Sequence, residues 1–220
     1  MEKLSQPIED YLKAIYMLRE REGTASTSAI AAVLEVTPAS VTGMMKKLAE
    51  LKLVRHEPYQ GVELTRSGEK IALEMVRHHR LLELYLMEAL GYTWDEVHAE
   101  ADVLEHVISE EFEERMAARL GYPTVDPHGD PIPAKDGSFT ALKERALLDM
   151  QPGESAQITH LNDTNSEMLR YAAGLGLTPN TRLKLIEVEP FGGSLRVKVG
   201  KIEQAVGREL AAQIYVSLES

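Results

Sequence analysis

Apolar residues recur at helical spacing through the first part of the chain. From Ile8 onward they fall at offsets of 0, 3, 4, 7 and 8 residues, which predicts an amphipathic helix that starts near Pro7 and stops at Gly23. Ser26 or Thr27 can cap a short second helix, and a third helix begins with Pro38 in its first turn. Helix, tight turn and helix is the arrangement that places a recognition helix in the major groove of DNA.

The pattern then changes from helical to strand-like. The segment LVRHEPYQGVELT predicts a hairpin of two short strands, and a helix-turn-helix followed by a hairpin predicts a winged helix. DNA binding is its expected function, and a structural or protein-binding winged helix is the alternative. The residues expected at DNA are small or polar positions early in the third helix, two lysines after them and the hairpin tip: Thr37, Ala39, Ser40, Thr42, Lys46, Lys47, Tyr59 and Gln60.

Two longer helices are predicted in the middle of the chain. The first starts near Thr65 and runs to Leu90, where Gly91 ends it. The second is predicted as one continuous helix from Trp94 to Glu114.

Histidines and carboxylates share faces of these two helices. On the first, His79 and Glu83 lie four residues apart. The second carries four such residues at offsets 0, 4, 7 and 8, within about 100° of arc: His98, Asp102, Glu105 and His106. Packed side by side, the two faces could close a divalent-metal site; the alternative is an acidic, solvated surface.

The last third of the chain is predicted to be a linker followed by a β-domain. The segment YPTVDPHGDPIPAKD breaks both periodicities, so it predicts a linker with some ordered turns, in which His128 is expected to be a turn residue rather than a ligand. Alternating runs follow in SAQITHL, RLKLIEVE, SLRVKVG, QAVGREL and AQIYVSL, with one helix in SEMLRYAAGLGL. They predict a small SH3-like β-barrel.

The fold class is therefore mostly α with small β parts. A winged helix-turn-helix is expected over 1–75, a helical dimerisation and metal-binding domain over 76–125, a linker over 126–147 and the SH3-like domain over 148–220. Long apolar stripes in the helical domain favour a symmetric homodimer.

The amino-acid composition limits the expected cellular location and the possible chemistry. The chain is 44% apolar, no apolar run approaches 18 residues, and the N-terminus lacks the layout of a signal peptide, so a cytoplasmic protein without a membrane segment is expected. Cysteine is absent, which excludes thiolate ligands, disulfides and cysteine nucleophiles.

The net charge of −11 is unevenly distributed. Lys and Arg against Asp and Glu number 10 and 11 in residues 1–75, 4 and 11 in residues 76–125, and 10 and 13 in residues 126–220, which gives −1, −7 and −3. The middle segment therefore has the charge of a cation-binding module, whereas the predicted DNA reader is nearly neutral.

Over essentially its full length the chain resembles the diphtheria toxin repressor family of iron- and manganese-dependent transcriptional regulators. The residues that carry this resemblance are EDYLKAIYML, TPASVTGMMKKLAELKLV, LTRSGEKIA, HHRLLELYL, EVHAEADVLEHVISE and DPHGDPIP before a β-rich tail. The resemblance implies a metal-dependent DNA-binding regulator of genes for metal homeostasis, with repression as the expected effect, a FeoA-like third domain and no enzymatic activity. Its partners would be a double-stranded DNA operator and a second copy of the chain.

The resemblance also implies two metal sites. The primary site would consist of Asp10, Asp102, Glu105 and His106, and the ancillary site of His79, Glu83 and His98. Iron-responsive members have Met and Cys at the places of Asp10 and Asp102, so an oxygen-rich set favours Mn(II) as the corepressor, with Fe(II) possible and other divalent transition metals accepted in vitro. Where manganese-type relatives carry a second acidic residue, this chain has Lys13.

Two other functions remain open from the residues alone. A winged-helix regulator that senses an organic ligand would leave the His and Glu face merely structural. A metallohydrolase would need an open coordination position and a general acid or base aimed at a substrate, and no catalytic motif of that kind is recognisable in the sequence.

Overall fold

The computed structural model describes residues 4–57, 61–139, 143–162 and 165–218. The helices are α1 (Gln6–Glu22), α2 (Thr27–Val33), α3 (Pro38–Glu50), α4 (Arg66–Leu90), α5 (Val97–Leu104), α6 (Glu110–Arg119), α7 (Ser166–Gly174) and α8 (Arg208–Ala211). The strands are β1 (Val54–Glu57), β2 (Gly61–Leu64), β3 (Arg145–Ala146), β4 (Ser155–Leu161), β5 (Arg182–Val188), β6 (Leu195–Val199), β7 (Ile202–Val206) and β8 (Ile214–Leu218).

The chain forms two compact units that interleave along the sequence. Unit 1 contains Met1–His78, Glu105–Ile108 and Pro133–Ser138. Unit 2 contains His79–Leu104, Ser109–Ile132 and Phe139–Ser220. Helix α4 belongs to unit 1 in its first half and to unit 2 in its second.

Unit 1 contains the winged helix that the sequence predicts. Ser26 Oγ accepts a hydrogen bond from the N–H of Ala29 at the start of α2, and Thr37 Oγ1 caps α3 by accepting from the N–H of Ser40. The hairpin pairs β1 with β2 in antiparallel register, from Val54 opposite Leu64 to Glu57 opposite Gly61. Apolar side chains from all these elements and from the start of α4 form one core, which includes Leu12, Ile15, Ile30, Val41, Leu48, Val62 and Val76.

Helices α2 and α3 are bent by 107° at the turn between them, within the range of helix-turn-helix motifs. In the described part of the chain no single helix has the length and apolar composition of a membrane span, although α2 and α3 taken as one bent pair meet both criteria.

The prediction of one helix from Trp94 to Glu114 is wrong. Helix α5 ends at Leu104, and α6 starts at Glu110 after Ser109, whose Oγ accepts from the N–H of Phe112. A serine that caps the second helix, preceded by two β-branched residues, explains the interruption. Because of this break, residues Glu105–Ile108 pack in unit 1, while the helices on both sides belong to unit 2.

The turn DPHGD packs onto the β-domain inside unit 2. The carbonyl oxygen of His128 accepts from the N–H of Leu161 in β4 at 3.0 Å, and Asp126 and Asp130 are joined by a backbone hydrogen bond. A carbonyl oxygen of β4 comes so close to Gly129 that a side chain cannot fit there. Part of the segment predicted as a linker is therefore ordered and packed.

Unit 2 ends in a six-stranded antiparallel sheet with the order β3-β8-β4-β5-β6-β7. Alternate residues of these strands point into one core with α7, among them Ala156, Ile158, Leu183, Leu185, Val197 and Val216. Four of the predicted runs are single strands, whereas QAVGREL divides into β7 and α8. Strand β3 at Arg145–Ala146 falls in the interval assigned to the linker, and its two residues are too short a run to give an alternating pattern.

Replacement of Gly129 by Ala tests the contact between the DPHGD turn and β4. Gly129 has φ of +93°, and a Cβ there would lie 1.9 Å from the carbonyl oxygen of Thr159. Gly153 is a matched control, because its φ is +94° and a Cβ there meets nothing within 4 Å. We expect Gly153→Ala to cost about 1–2 kcal/mol from backbone strain and Gly129→Ala about 2–3 kcal/mol more. Urea unfolding of both variants measures the difference, and equal losses would contradict the close approach.

A second prediction concerns the pH dependence of stability near β4. Burial by itself raises the pKa of Glu144, but hydrogen bonds from His160 and Thr159 and the charge of His160 outweigh it and lower the pKa. A lowered pKa in the folded state adds stability above the ordinary Glu pKa, and this stability is lost as the pH falls through the lowered value.

We therefore expect Glu144→Gln to lose on the order of 1 kcal/mol at pH 7 and progressively less below about pH 5. Urea unfolding at pH 7, 5 and 4 measures the difference. Glu203→Gln, at an exposed position of β7, is the control. A difference that grows as the pH falls would refute the assignment.

Candidate metal centre and nucleic-acid interface

The surface of α3 opposite the core of unit 1 carries the residues expected at DNA. Val41, Met45 and Leu48 are buried. The predicted contact residues on this helix and at its cap are all exposed: Thr37, Ala39, Ser40, Thr42, Lys46 and Lys47. The sequence therefore divides α3 into a packed face and an accessible polar face, as a helix that enters a groove requires.

The hydroxyl groups on this face form local hydrogen bonds. Thr37 Oγ1 lies 3.0 Å from Ser40 Oγ, and Thr42 Oγ1 donates to the carbonyl oxygen of Pro38 at 3.0 Å. These bonds fix the side chains, and the oxygen of Thr42, which donates its proton, keeps acceptor capacity for a further partner. The other two predicted contacts, Tyr59 and Gln60, lie outside the described residues.

The first candidate metal centre lies within unit 1, where α1 meets the turn after α5. His106 Nε2 is 2.9 Å from Asp10 Oδ1 and 3.6 Å from Glu105 Oε1. One ligand atom from each of these residues lies within 4.8 Å of the others. His106 and Glu105 are buried, and Asp10 is half-buried.

Two neighbours that sequence reasoning did not assign complete this cluster. Glu9 Oε2 is 2.8 Å from His106 Nδ1, so Glu9 orients the ring and directs Nε2 toward Asp10 and Glu105. Lys13 Nζ is 2.7 Å from Glu105 Oε2 and neutralises that oxygen. The i, i+3 spacing of Asp10 and Lys13 was the available signal for the lysine; for Glu9 there was none, because its partner lies 97 positions away.

Burial raises the pKa of Asp10. The charge of His106 opposes this shift, the charge of Glu105 adds to it and the ammonium of Lys13 reduces it. The protein itself thus does not fully compensate the negative charge of this half-buried carboxylate, which lies next to a second carboxylate. A divalent cation would supply it, so the donor set fits a metal ion.

The second candidate centre lies within unit 2. Three atoms form a nearly equilateral triangle: His79 Nε2 is 2.9 Å from Glu83 Oε1 and 3.0 Å from His98 Nδ1, and His98 Nδ1 is 3.1 Å from Glu83 Oε1. Adjacent ligands on one ion, with bonds of about 2.1 Å, are separated by about 3 Å when they subtend a right angle. The triangle therefore fits one face of a coordination sphere.

Asp102 lies beside this triangle. Its Oδ1 is 3.3 Å from His79 Nδ1, and its Oδ2 is 3.6 Å from His98 Nε2. These contacts bind the outer nitrogens of the two imidazoles and fix their orientation. The assignment of Asp102 to the primary site stays a prediction, since its contacts within unit 2 are with the ancillary histidines.

Glu83 is fully buried, and its surroundings favour the ionised carboxylate. Burial by itself raises its pKa, but the charge of His79 and the contacts with the imidazoles of His128, His79 and His98 hold the pKa well below its ordinary value. The carboxylate is therefore negatively charged inside the protein, as a metal ligand must be.

His128 and Asp126 were not predicted as site residues, and both are buried next to Glu83. His128, predicted as a turn residue, lies in a turn, and its Nδ1 is 3.8 Å from Glu83 Oε2. Burial raises the pKa of Asp126 well above its ordinary value, and the charges of Asp130 and Glu83 raise it further against the effect of Arg80. The sequence alone gave no signal, because a Pro- and Gly-rich segment is usually exposed.

The chain matches three family models in sequence order. Residues 3–62 match the iron dependent repressor N-terminal DNA binding domain, and residues 65–134 match the iron dependent repressor metal binding and dimerisation domain. Residues 145–218 match the FeoA domain.

Individual relatives extend over the same region. The iron-dependent repressor IdeR of Mycobacterium leprae is 30% identical over 228 residues, which cover 98% of this chain and 99% of that protein. The HTH-type transcriptional regulator MntR of Shouchella clausii is 39% identical over 115 residues, or 52% of this chain and 80% of that protein.

The fold has a similar counterpart among solved structures. A manganese-dependent transcriptional repressor in complex with manganese has a TM-score of 0.91 and 38% sequence identity, over 96% of this chain and 100% of that one. The chain therefore belongs to the iron-dependent repressor family, which confirms its resemblance to the diphtheria toxin repressor family of metal-dependent regulators.

Proposed function

We propose that this protein is a metal-activated, DNA-binding transcriptional repressor that acts as a homodimer in the cytoplasm and controls metal-ion homeostasis. One observation carries the proposal: Asp10, on the first helix of the winged helix, meets Glu105 and His106, which belong to the segment matched by the metal binding and dimerisation model. The winged helix and a metal-ligand set are thus joined at a single cluster.

The residues of this cluster explain how a metal would control DNA binding. A bound divalent ion supplies positive charge that holds Asp10, Glu105 and His106 together. Without it, the carboxylates of Asp10 and Glu105 repel each other, and α1 is held less firmly to the turn Glu105–Ile108. The DNA-binding arrangement is then only fractionally populated, and the apparent affinity for DNA falls by that fraction.

The donor set favours Mn(II) as the activating ion. All candidate ligands are carboxylates or imidazoles, and thiolate is absent from the sequence. Oxygen-rich coordination suits Mn(II), and Fe(II) accepts the same ligands, as the names of the manganese- and iron-dependent relatives also suggest. The primary site is proposed to be Asp10, Glu105 and His106 with Asp102 as a further predicted ligand, and the ancillary site His79, Glu83 and His98.

The homodimer is supported by the family model and by exposed apolar side chains in the helical part of unit 2. Leu90, Val103, Phe112 and Tyr122 each expose more than 40% of their surface. Apolar residues of this size on a helical surface are typical of an interface. A two-fold dimer would present two copies of α3 to two DNA half-sites.

A transcriptional function is preferred to the two alternatives. The relatives are transcriptional repressors or regulators, not enzymes, which argues against a metallohydrolase. The geometry of the His79, Glu83 and His98 triangle argues against a merely structural face.

We predict that Asp10→Ala loses metal activation of DNA binding but stays folded. The substitution removes one carboxylate ligand, so activation by Mn(II) should fall at least about tenfold. It also removes a half-buried acid whose pKa burial raises, so metal-free stability at neutral pH should not decrease. Fluorescence anisotropy of a labelled duplex from the gene's upstream region, with chelator, Mn(II) or anaerobic Fe(II), measures the effect.

Glu20→Ala, at an exposed position on the same helix, is the control for this variant and should behave like the wild type. Normal Mn(II) activation of Asp10→Ala would refute the proposed role of the cluster. Equal DNA binding of the wild-type protein in chelator and in Mn(II) would leave the winged helix as a DNA reader but remove the metal as its switch.

A further prediction tests the recognition helix. Lys46 and Lys47 are exposed on α3, so replacing both by Ala should weaken DNA binding on the order of tenfold on specific and random duplexes alike. The slope of log affinity against log salt should become shallower by about 0.9 for each lost phosphate contact. Lys201→Ala, at an exposed turn of the β-domain, is the control. An unchanged slope in the double variant would place the DNA elsewhere.

A further inference from the structure

Glu83 contacts the ancillary histidines through Oε1, and its other oxygen, Oε2, faces a second group of buried polar atoms. Asp126 and His128 of the DPHGD turn form this group, and both are buried together with Glu83 in unit 2. Asp126 Oδ1 accepts hydrogen bonds from the N–H groups of His128 and Asp130 at 2.8 Å and 2.9 Å. The turn thus fixes one oxygen of Asp126 and leaves the other to face the interior.

Two carboxylate oxygens of this group are buried without a hydrogen-bond donor. Glu83 Oε2 and Asp126 Oδ2 have no hydrogen-bond partner among the described residues. Their nearest basic neighbours are His128 Nδ1, 3.8 Å from Glu83 Oε2, and Arg80 Nε, 3.7 Å from Asp126 Oδ2. Both distances are too long for a hydrogen bond, so these two buried oxygens lack the compensation that buried polar atoms normally have.

The tautomer of His128 explains why its Nδ1 does not donate a hydrogen bond to these carboxylate oxygens. Its Nε2 is 2.6 Å from the carbonyl oxygen of Trp94, which can only accept, so Nε2 donates a proton. In the neutral imidazole Nδ1 then carries a lone pair. This nitrogen lies 3.8 Å from Glu83 Oε2, and one ligand atom from each of Glu83, Asp126 and His128 lies within 4.8 Å of the others.

The charges of the fixed residues leave room for one divalent cation. Glu83, Asp126 and Asp130 are three carboxylates, and the Arg80 guanidinium contacts Asp126 and Asp130, which leaves two negative charges when all three acids are ionised and the imidazoles are neutral. The Arg80 guanidinium is mainly engaged elsewhere, since it donates to the carbonyl oxygen of Pro131 at 2.5 Å and to Asp130 Oδ1 at 3.2 Å. Buried carboxylates with this excess of negative charge require a cation or a proton.

We propose that Glu83 Oε2, Asp126 Oδ2 and His128 Nδ1 bind a divalent cation of their own, distinct from the ion held by His79, Glu83 and His98. Glu83 then serves two ions, one with each oxygen. Two carboxylates and one imidazole suit Mn(II) or Zn(II). Such an ion would attach the DPHGD turn, which packs on β4, to helix α4.

Counting bound ions tests this proposal. Full-length wild-type and variant proteins are dialysed to equilibrium against Mn(II), and in parallel against Zn(II), and the metal per chain is measured by mass spectrometry. We expect three ions per wild-type chain. Asp126→Asn should bind two, because the amide keeps the shape but not the charge. His98→Gln should also bind two, and Glu83→Gln should bind one, because Glu83 is shared.

Asp130→Asn is the matched control, since it removes an acid from the same turn but none of the three proposed ligand atoms, and it should keep three ions. His128→Phe gives a second variant in case Asp126→Asn fails to fold, because it keeps a ring against Trp94 and removes Nδ1; it should bind two ions. Thermal unfolding gives an independent readout: chelator should lower the melting temperature of the wild type more than that of Asp126→Asn.

The outcomes separate this site from the ancillary site of the proposed function. If the ancillary site fails but the new site exists, the wild type and His98→Gln bind equal numbers of ions, and Asp126→Asn binds one fewer. If Asp126→Asn or His128→Phe folds and binds as many ions as the wild type, the proposal is overturned, and a proton on Asp126 is the compensating charge.

Discussion

Compensation of buried negative charge is the constraint on which both candidate metal centres depend. Glu83 and Glu105 have almost no solvent exposure, although a carboxylate in a protein interior is stable only when nearby positive charge or hydrogen-bond donors compensate it. Lys13 supplies positive charge at Glu105, and the charge of His79 and the hydrogen bonds with His79 and His98 hold the pKa of Glu83 well below its ordinary value. At both candidate centres the oxygens and nitrogens lie at ligand spacing, so a bound cation would add to this compensation.

The break between α5 and α6 connects this electrostatic constraint to the DNA reader. If residues 94–114 were one helix, Glu105 and His106 would stay on the helix face that carries His98 and Asp102. The cap at Ser109 ends that continuity, and the four-residue turn packs in unit 1 against α1. His78 Nδ1 lies 3.2 Å from the carbonyl oxygen of Glu105 and supports the turn. The cap at Ser109 therefore determines that the candidate ligands Glu105 and His106 pack against α1.

Local patterns predicted most of the fold, and long-range contacts account for what they missed. Helical spacing, the cap at Ser26, Pro38 in the first turn of α3 and Gly91 after Leu90 gave α1 to α4, because each signal lies within a few residues of the element it controls. The cap at Ser109 was not predicted, because the histidine and carboxylate spacing favoured a continuous helix. Strand β3, with only two residues, depends on pairing with β8 some 70 positions away, and no local pattern can contain that information.

The residues of the candidate sites were likewise predicted only where local spacing or the family resemblance pointed to them. Spacing identified His79, Glu83 and His98, and the resemblance added Asp10, but neither gave Glu9, Asp126 or His128. These three residues act through partners far along the chain, in segments that look like a solvated helix face or a linker. Such residues become functional candidates only when they are seen to be buried together, and burial is known only from the packed structure.

The number of cations that each candidate centre could hold follows from its carboxylate oxygens taken one at a time. At Glu105, Oε1 faces His106, while Oε2 is occupied by the fixed ammonium of Lys13. A second ion there would have to displace the ammonium group of Lys13, so we expect this centre to hold one ion. At Glu83, Oε1 faces two imidazoles, but no fixed cation of the described residues lies within hydrogen-bond distance of Oε2. The same type of side chain therefore limits one centre to a single ion and allows the other to share its carboxylate between two.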